Sequence, residues 1–225
     1  LQAAIDATSI VDHVTRSGQV PAHSLVPPAV PGYDEIHLRG HDPERARELL
    51  ASAGYPKGEG FPTITLLIST SQWHRQIAEV LQQQWRRTLD IEVRIQNQEW
   101  KVFTSTVRQG EYDLARGSWI ADYADAGNFL EIWATGSPNN RTGFSDQRVD
   151  SLVSESASEL DAERRASLLQ EIEHIVVDEE AVILPVYYFA ITNLFDASIW
   201  GGLEPDALNS LDLRRVHRLD RGPGR

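Results

Sequence analysis

Between Asp42 and Ile120 the chain alternates repeatedly between helical and strand-like spacing of its apolar residues, and this alternation restricts its fold more than any other feature. Asp42 followed by Pro43 reads as an N-cap and a proline at the first helical position. Ala46, Leu49, Leu50 and Ala53 then keep helical spacing until Gly54 stops the helix. Residues 61–69 read as a buried strand with Pro62 at its start, where a missing donor is tolerated. Ile77, Val80, Leu81, Trp85 and Leu89 form one face of a second helix. Ile91, Val93 and Ile95 alternate with Glu92 and Arg94, the period of a strand with one wetter face. Val102, Phe103, Thr106 and Val107 predict a short helix over residues 100–108, and residues 112–120 read as a third strand. The order α-β-α-β-α-β predicts an α/β layer rather than a helical bundle or a sandwich.

That third strand delivers the chain into residues 118–142, SWIADYADAGNFLEIWATGSPNNRT, where the chemistry is concentrated. Trp119 and Tyr123 stand beside two carboxylates, Asp122 and Asp125, just after a strand, where ligands of α/β proteins gather. Two readings fit these residues. Asp122 is a fixed anion between aromatic walls, suited to an ammonium group through a charge-assisted hydrogen bond. Alternatively, Asp122 and Asp125 cap the helix that begins near Asn128.

Composition narrows the partners. A net charge of −12 argues against nucleic acid or an anionic membrane, which attract Lys and Arg clusters. With no cysteine there are no disulfides, thiolate nucleophiles or Cys-type zinc sites. The longest apolar run, residues 181–191, is broken by Pro185 and falls short of the ~20 residues of a membrane helix. For an enzyme there is neither a Gly-Xaa-Ser-Xaa-Gly elbow nor a His-Glu-Xaa-Xaa-His helix. His37 and His41 have helical zinc-ligand spacing, but Gly40 and Pro43 argue against a helix through them. Asp122 and Asp125 as an acid/base pair is the remaining enzymatic option. The expectation is a chain without catalysis and without a cofactor or metal.

Elsewhere, residues 1–14 suggest a helix interrupted at Thr8-Ser9, and the proline-rich stretch 18–40 suggests a long loop. Ser145 and Asp161 are candidate caps for two further helices, carrying Val149, Leu152 and Val153, then Leu168, Leu169, Ile172, Ile175 and Val176. Residues 181–195 suggest one long or two short β segments kinked at Pro185, and residues 214–225 a tail that frays unless another lobe receives it.

The run SWIADYADAGNFLEIWATGSPNNRTGFSDQRVDSL resembles the signature segment of the oligopeptide-binding proteins of ABC importers, the family 5 extracellular solute-binding proteins. HDPERARELLASAGYP, NQEWKVFTSTVRQGEYDLARGSW and AVILPVYYFAITNLF with the trailing Trp200-Gly201-Gly202 resemble the same family in the same order. The resemblance implies one lobe of a longer two-lobed protein. That lobe would have a type II periplasmic-binding-protein fold, a mixed β-sheet flanked by helices. Residues 1–208 would form the second lobe and residues 209–225 a tail returning to the first.

It also implies roles. Asp122, within Trp119 to Tyr123, would pair with the free α-ammonium of a bound peptide. Arg116 would meet the carboxylate of a short peptide, His74 that of a longer one, and Trp100 and Trp119 would wall the side-chain pockets. Arg141 is expected to hold its loop. The pattern departs from the family at Ala124 and Ala126, where prolines are common. It departs again at Val107, where some members carry arginine, leaving the adjacent Arg108 as a doubtful substitute anchor. The implied partners are an oligopeptide and the permease subunits of an importer, at the periplasmic or extracellular face, with the membrane reached only through the transporter or a lipid anchor. A dipeptide, metal chelate or sugar as ligand, or a sensory module without transport, are the alternatives.

Overall fold

The computed structural model describes residues 1–28, 30–36, 38, 40–205 and 209–219, so His37 and the last six residues lie outside the description. The chain begins with a 3-10 turn over Gln2–Ala4, then α1 over Ala7–Ile10, which runs on into a π-helical turn at Val11–Thr15. The interruption therefore falls before α1 rather than at Thr8-Ser9. Asp6 causes it by capping α1, its carboxylate accepting from the Ser9 N–H at 2.8 Å. A long irregular stretch follows, with β1 (Val20–Pro21) inside it.

The expected alternation is present: α2 (Pro43–Ser52), β2 (Ile64–Ser69), α3 (Gln72–Leu89), β3 (Val93–Gln98), α4 (Trp100–Gln109) and β4 (Leu114–Ala115). Asp42 caps α2 through Arg45 N at 3.0 Å. The strands lie in the order β3-β2-β4. All are parallel, Ile64 opposite Val93 through Ser69 opposite Gln98, and Leu66 and Leu67 opposite Leu114 and Ala115. As the central strand β2 is covered on both faces: Leu66 and Ile68 join the core under α3, and Leu67 packs on Phe103 and Val107 of α4. Strands of opposite direction occur in two separate ribbons, β1 with β5 (Tyr187–Tyr188) and β6 (Trp200–Gly201) with β7 (His217–Arg218).

Three expected elements are corrected. The strand expected over 112–120 is ladder-paired only at Leu114–Ala115. Asp113 Oδ2 accepts from Thr65 N where a strand carbonyl would stand, and the Arg116 N–H to Leu67 carbonyl bond is the last before the chain turns away at Gly117. The β segment expected over 181–195 shrinks to Tyr187–Tyr188 opposite the two-residue β1, with one further bond from the Ala22 N–H to the Val186 carbonyl. Asp146, not Ser145, caps α6 (Gln147–Ser158) by accepting from Arg148 N at 2.6 Å. The Ser145 hydroxyl instead meets Thr135 Oγ1. Asp161 caps α7 (Ala162–His174) as expected.

Two interiors result. One is the α/β layer, centred on Trp85, Ile68, Leu66 and Ile77, with the Trp85 indole donating to the Leu1 carbonyl. The other packs α6 and α7 on α5 (Gly127–Leu130) and on Val26, Val30 and Tyr33 of the long loop. Glu173, on α7, is fully buried and fastens that loop. Its carboxylate accepts from the N–H groups of Leu25 and Val26 at 2.5 and 2.7 Å and from the Tyr33 hydroxyl at 2.6 Å. Burial pushes this carboxyl up from its ordinary value, against the pull of Tyr33 and the two backbone donors.

The loop after α5 is held by Asn140, whose amide donates to the carbonyls of Trp133, Ala134 and Phe144. Arg141 contributes its main-chain carbonyl, which accepts from the Tyr112 hydroxyl. The start of the C-terminal stretch is tied back, Leu219 N donating to the Ile199 carbonyl beside the β6–β7 ribbon.

Candidate functional site

Because β2, β3 and β4 are parallel, their C-terminal ends share one edge, and the segments leaving them meet there. After β2 come Ser71 and the first turn of α3, with Trp73 half exposed and His74 beneath. After β3 comes Trp100, 61% exposed at the first position of α4 and stacked on Phe103 with ring centroids 5.9 Å apart. After β4 come Arg116, Trp119, Asp122 and Tyr123. Thr70 ties two of these exits together, its N–H and hydroxyl both donating to the Gln98 carbonyl.

His74 Nδ1 lies 2.9 Å from the Ser69 hydroxyl and 3.1 Å from the Ser69 carbonyl. Burial lowers its pKa, and the nearby Arg116 cation lowers it further. His74 and Arg116 are thus neighbours at the sheet edge. Among the described residues neither the Arg116 guanidinium nor the exposed Asp122 carboxylate meets a hydrogen-bond or salt-bridge partner. The site therefore offers one uncommitted cation and one uncommitted anion, with aromatic surface at Trp73, Trp100, Trp119 and Tyr123.

Asp122 is not a helix cap. Its main-chain N–H donates to Asn128 Oδ1 at 3.1 Å, while its side chain points to solvent. Asp125 takes the turn role, with Ala126 standing at the N-cap position of α5, and accepts from Gly127 N at 2.7 Å and from both terminal nitrogens of Arg165. The Arg165 guanidinium holds the Asp125 carboxyl below the ordinary carboxylate range. Gly127 leaves room for this pair: a Cβ there would lie 2.8 Å from Asp125 Oδ1 and 3.2 Å from Arg165 Nη2, so both side-chain ends would have to give way.

Trp119 is half-buried against the second interior, its indole donating to Asn128 Oδ1 at 3.1 Å. The Tyr123 hydroxyl donates to Glu131. A hydrogen bond from Asn128 lowers the pKa of that phenol, but partial burial and the Glu131 and Asp125 carboxylates outweigh it and leave the pKa raised. Arg108 is not brought into the site. It lies in the last turn of α4, about 12 Å of helix away from Trp100, towards the opposite edge of the sheet.

Sequence reasoning missed Asn128, Trp73 and Arg165. Asn128 had a signal, a polar residue leading the apolar run Phe129, Leu130, Ile132, Trp133, yet it is buried. Among the described residues no group of acidic and histidine side chains has metal-binding geometry, and no helix is long and apolar enough to cross a membrane.

Residues 1–141 match the model of the bacterial extracellular solute-binding proteins, family 5 middle region. The chain is 32% identical over 213 residues to an oligopeptide-binding protein, OppA, of Bacillus subtilis, covering 91% of this chain and 39% of that protein. Among solved structures it superposes with TM-score 0.80 on a periplasmic oligopeptide-binding protein of Borrelia burgdorferi, 31% identical, covering 97% of this chain and 44% of that one. It superposes with TM-score 0.76 on Haemophilus influenzae OppA in complex with the peptide RPPGFSPFR, 28% identical, covering 84% of this chain and 38% of that one. The chain thus spans about two fifths of the length of these relatives, and its layered α/β fold is that of their type II periplasmic-binding architecture. On this match the chain belongs to the bacterial extracellular solute-binding proteins, family 5.

Proposed function

We propose that the chain is the ligand-binding lobe of the extracytoplasmic component of an ABC importer, and that it captures oligopeptides for uptake. The exposed Asp122 carboxylate carries this reading: its main chain is fixed beside the Trp119 indole, it shares an edge with Arg116, and among the described residues neither side chain has a hydrogen-bond or salt-bridge partner. Asp122 takes the peptide's ammonium group through a charge-assisted hydrogen bond. Arg116, with His74 beside it, takes the carboxylate end, and Trp100, Trp119 and Tyr123 form the walls against which side chains lie.

The peptide's main chain pairs with the protein as an added strand, which gives affinity without reading sequence. A first lobe closes over it by hinge motion. Binding and release are the whole chemistry, at the outer face of the membrane, with permease subunits as partners. Arg108 has no role in this scheme.

Replacing Asp122 by Ala in the complete protein tests the reading, using isothermal titration with paired peptides. Affinity for free-amine peptides is expected to fall by about 1.5–3 kcal/mol, while that for N-acetylated peptides stays nearly unchanged. Equal losses for both would remove Asp122 from the role.

A further inference from the structure

We infer that Asn128 is the positioning residue of the ammonium site, setting the Asp122 main chain and the Trp119 indole from a single amide oxygen. The inference rests on the peptide reading above. Asn128 is 3% exposed, and its Oδ1 accepts from Trp119 Nε1 and from Asp122 N, each at 3.1 Å. An amide oxygen has two lone pairs, so both are committed. One side chain and one main-chain group of the proposed site are thus referred to one buried amide.

Asn128 is itself immobilised. Its N–H donates to the Asp125 carbonyl, and Asp125 is clamped by Arg165, whose Nε also reaches the Ser156 carbonyl at the end of α6. The chain of contacts runs from the α6–α7 pair through Arg165, Asp125 and Asn128 to the wall and the anion. The wall and the main chain that bears the anion therefore cannot shift independently, and the site reads the spacing between a ligand's ammonium and its first side chain. An α-amino terminus meets that spacing, whereas a β-amino terminus, one carbon longer, misses it.

The test compares peptides that begin with alanine and with the β-amino acid 3-amino-2-methylpropanoic acid, whose methyl sits one carbon further from the amine, titrated into the complete protein. The wild type is expected to prefer the α-amine by about tenfold. Asn128→Leu, which removes the shared acceptor, is expected to bring that ratio close to one. Asn128→Ser, too short to reach both donors, should do the same if the leucine variant does not fold. Asn128→Asp keeps the acceptor and is expected to keep the preference.

An unchanged ratio in a folded Leu or Ser variant would overturn the inference, as would a wild type that does not discriminate or an Asp variant that melts normally but has lost the preference. Asp122→Ala separates the two levels. If it abolishes discrimination between free and acetylated amines while the Asn128 variants keep the α over β preference, the peptide reading stands and the positioning role falls. If Asp122→Ala leaves acetyl discrimination intact, both fall.

Discussion

Asp125 and Arg165, forty residues apart in sequence, face each other in a two-pronged ion pair with N–O distances of 2.8 and 2.9 Å. Both side chains are about one third exposed, so solvent screens the pair, and it sits between an exposed bridge and a buried one. Replacing Arg165 by Met is expected to cost about 1 kcal/mol in chemical denaturation. The lowered Asp125 pKa sets the sign with pH. The pair's contribution is complete above the unfolded carboxylate value of about 3.9 and is lost as pH falls through the folded value. The gap between wild type and variant should therefore close in acid, and a gap that widens there would contradict the pairing.

Glu173 has the opposite linkage. Its folded pKa is raised, so its contribution is largest below the unfolded value of about 4.3 and declines as pH rises through the folded value. Relative to Glu173→Gln, which carries no charge, wild type should gain stability between neutral pH and pH 4.5. Glu173→Leu leaves the Leu25 and Val26 N–H groups and the Tyr33 hydroxyl without an acceptor, and is expected to cost about 3–5 kcal/mol. Hydrogen exchange in residues 22–36 would report it first.

His74 has a lowered pKa, so the native preference for the neutral ring favours folding above the free value of about 6.5 and is lost as pH falls through the folded value. A ligand carboxylate against Arg116 and His74 reverses that bias. Binding should then take up a proton near pH 6, seen as a buffer-dependent enthalpy in titration calorimetry. That uptake should vanish in His74→Gln.

Gly58 is fixed by close approach as well as by its φ of +77°. A Cβ there would stand 2.6 Å from the Leu89 carbonyl oxygen and 2.7 Å from that of Asp90. Gly58→Ala is expected to destabilise by more than the roughly 1 kcal/mol of an unstrained glycine exchange, because backbone must move. Thermal melting would measure it.

The α/β layer could be read from the sequence because each of its elements has an apolar face of its own period, as in Ile77, Leu81, Trp85 and Leu89. The strand lengths could not. Residues 112–120 and 181–195 have strand composition, but pairing depends on where the neighbouring strand ends, and local residues do not carry that information. The site divided in the same way. Spacing alone left Asp122 as anchor or cap, resemblance to a family favoured the anchor, and the structure removes the cap. The pairing of Asp125 with Arg165 and the burial of Asn128 depend on how α7 lies over the central segment, so neither was visible in the chain order.

The common direction of β2, β3 and β4 has a consequence for variation among proteins of this kind. Every strand exit lies on the same rim, whereas the register is fixed by residues further down the ladder, such as Ile64 opposite Val93. The two short connections after β2 and β3 can be exchanged while the layer beneath keeps folding, which makes this scaffold a chassis on which part of the rim is interchangeable.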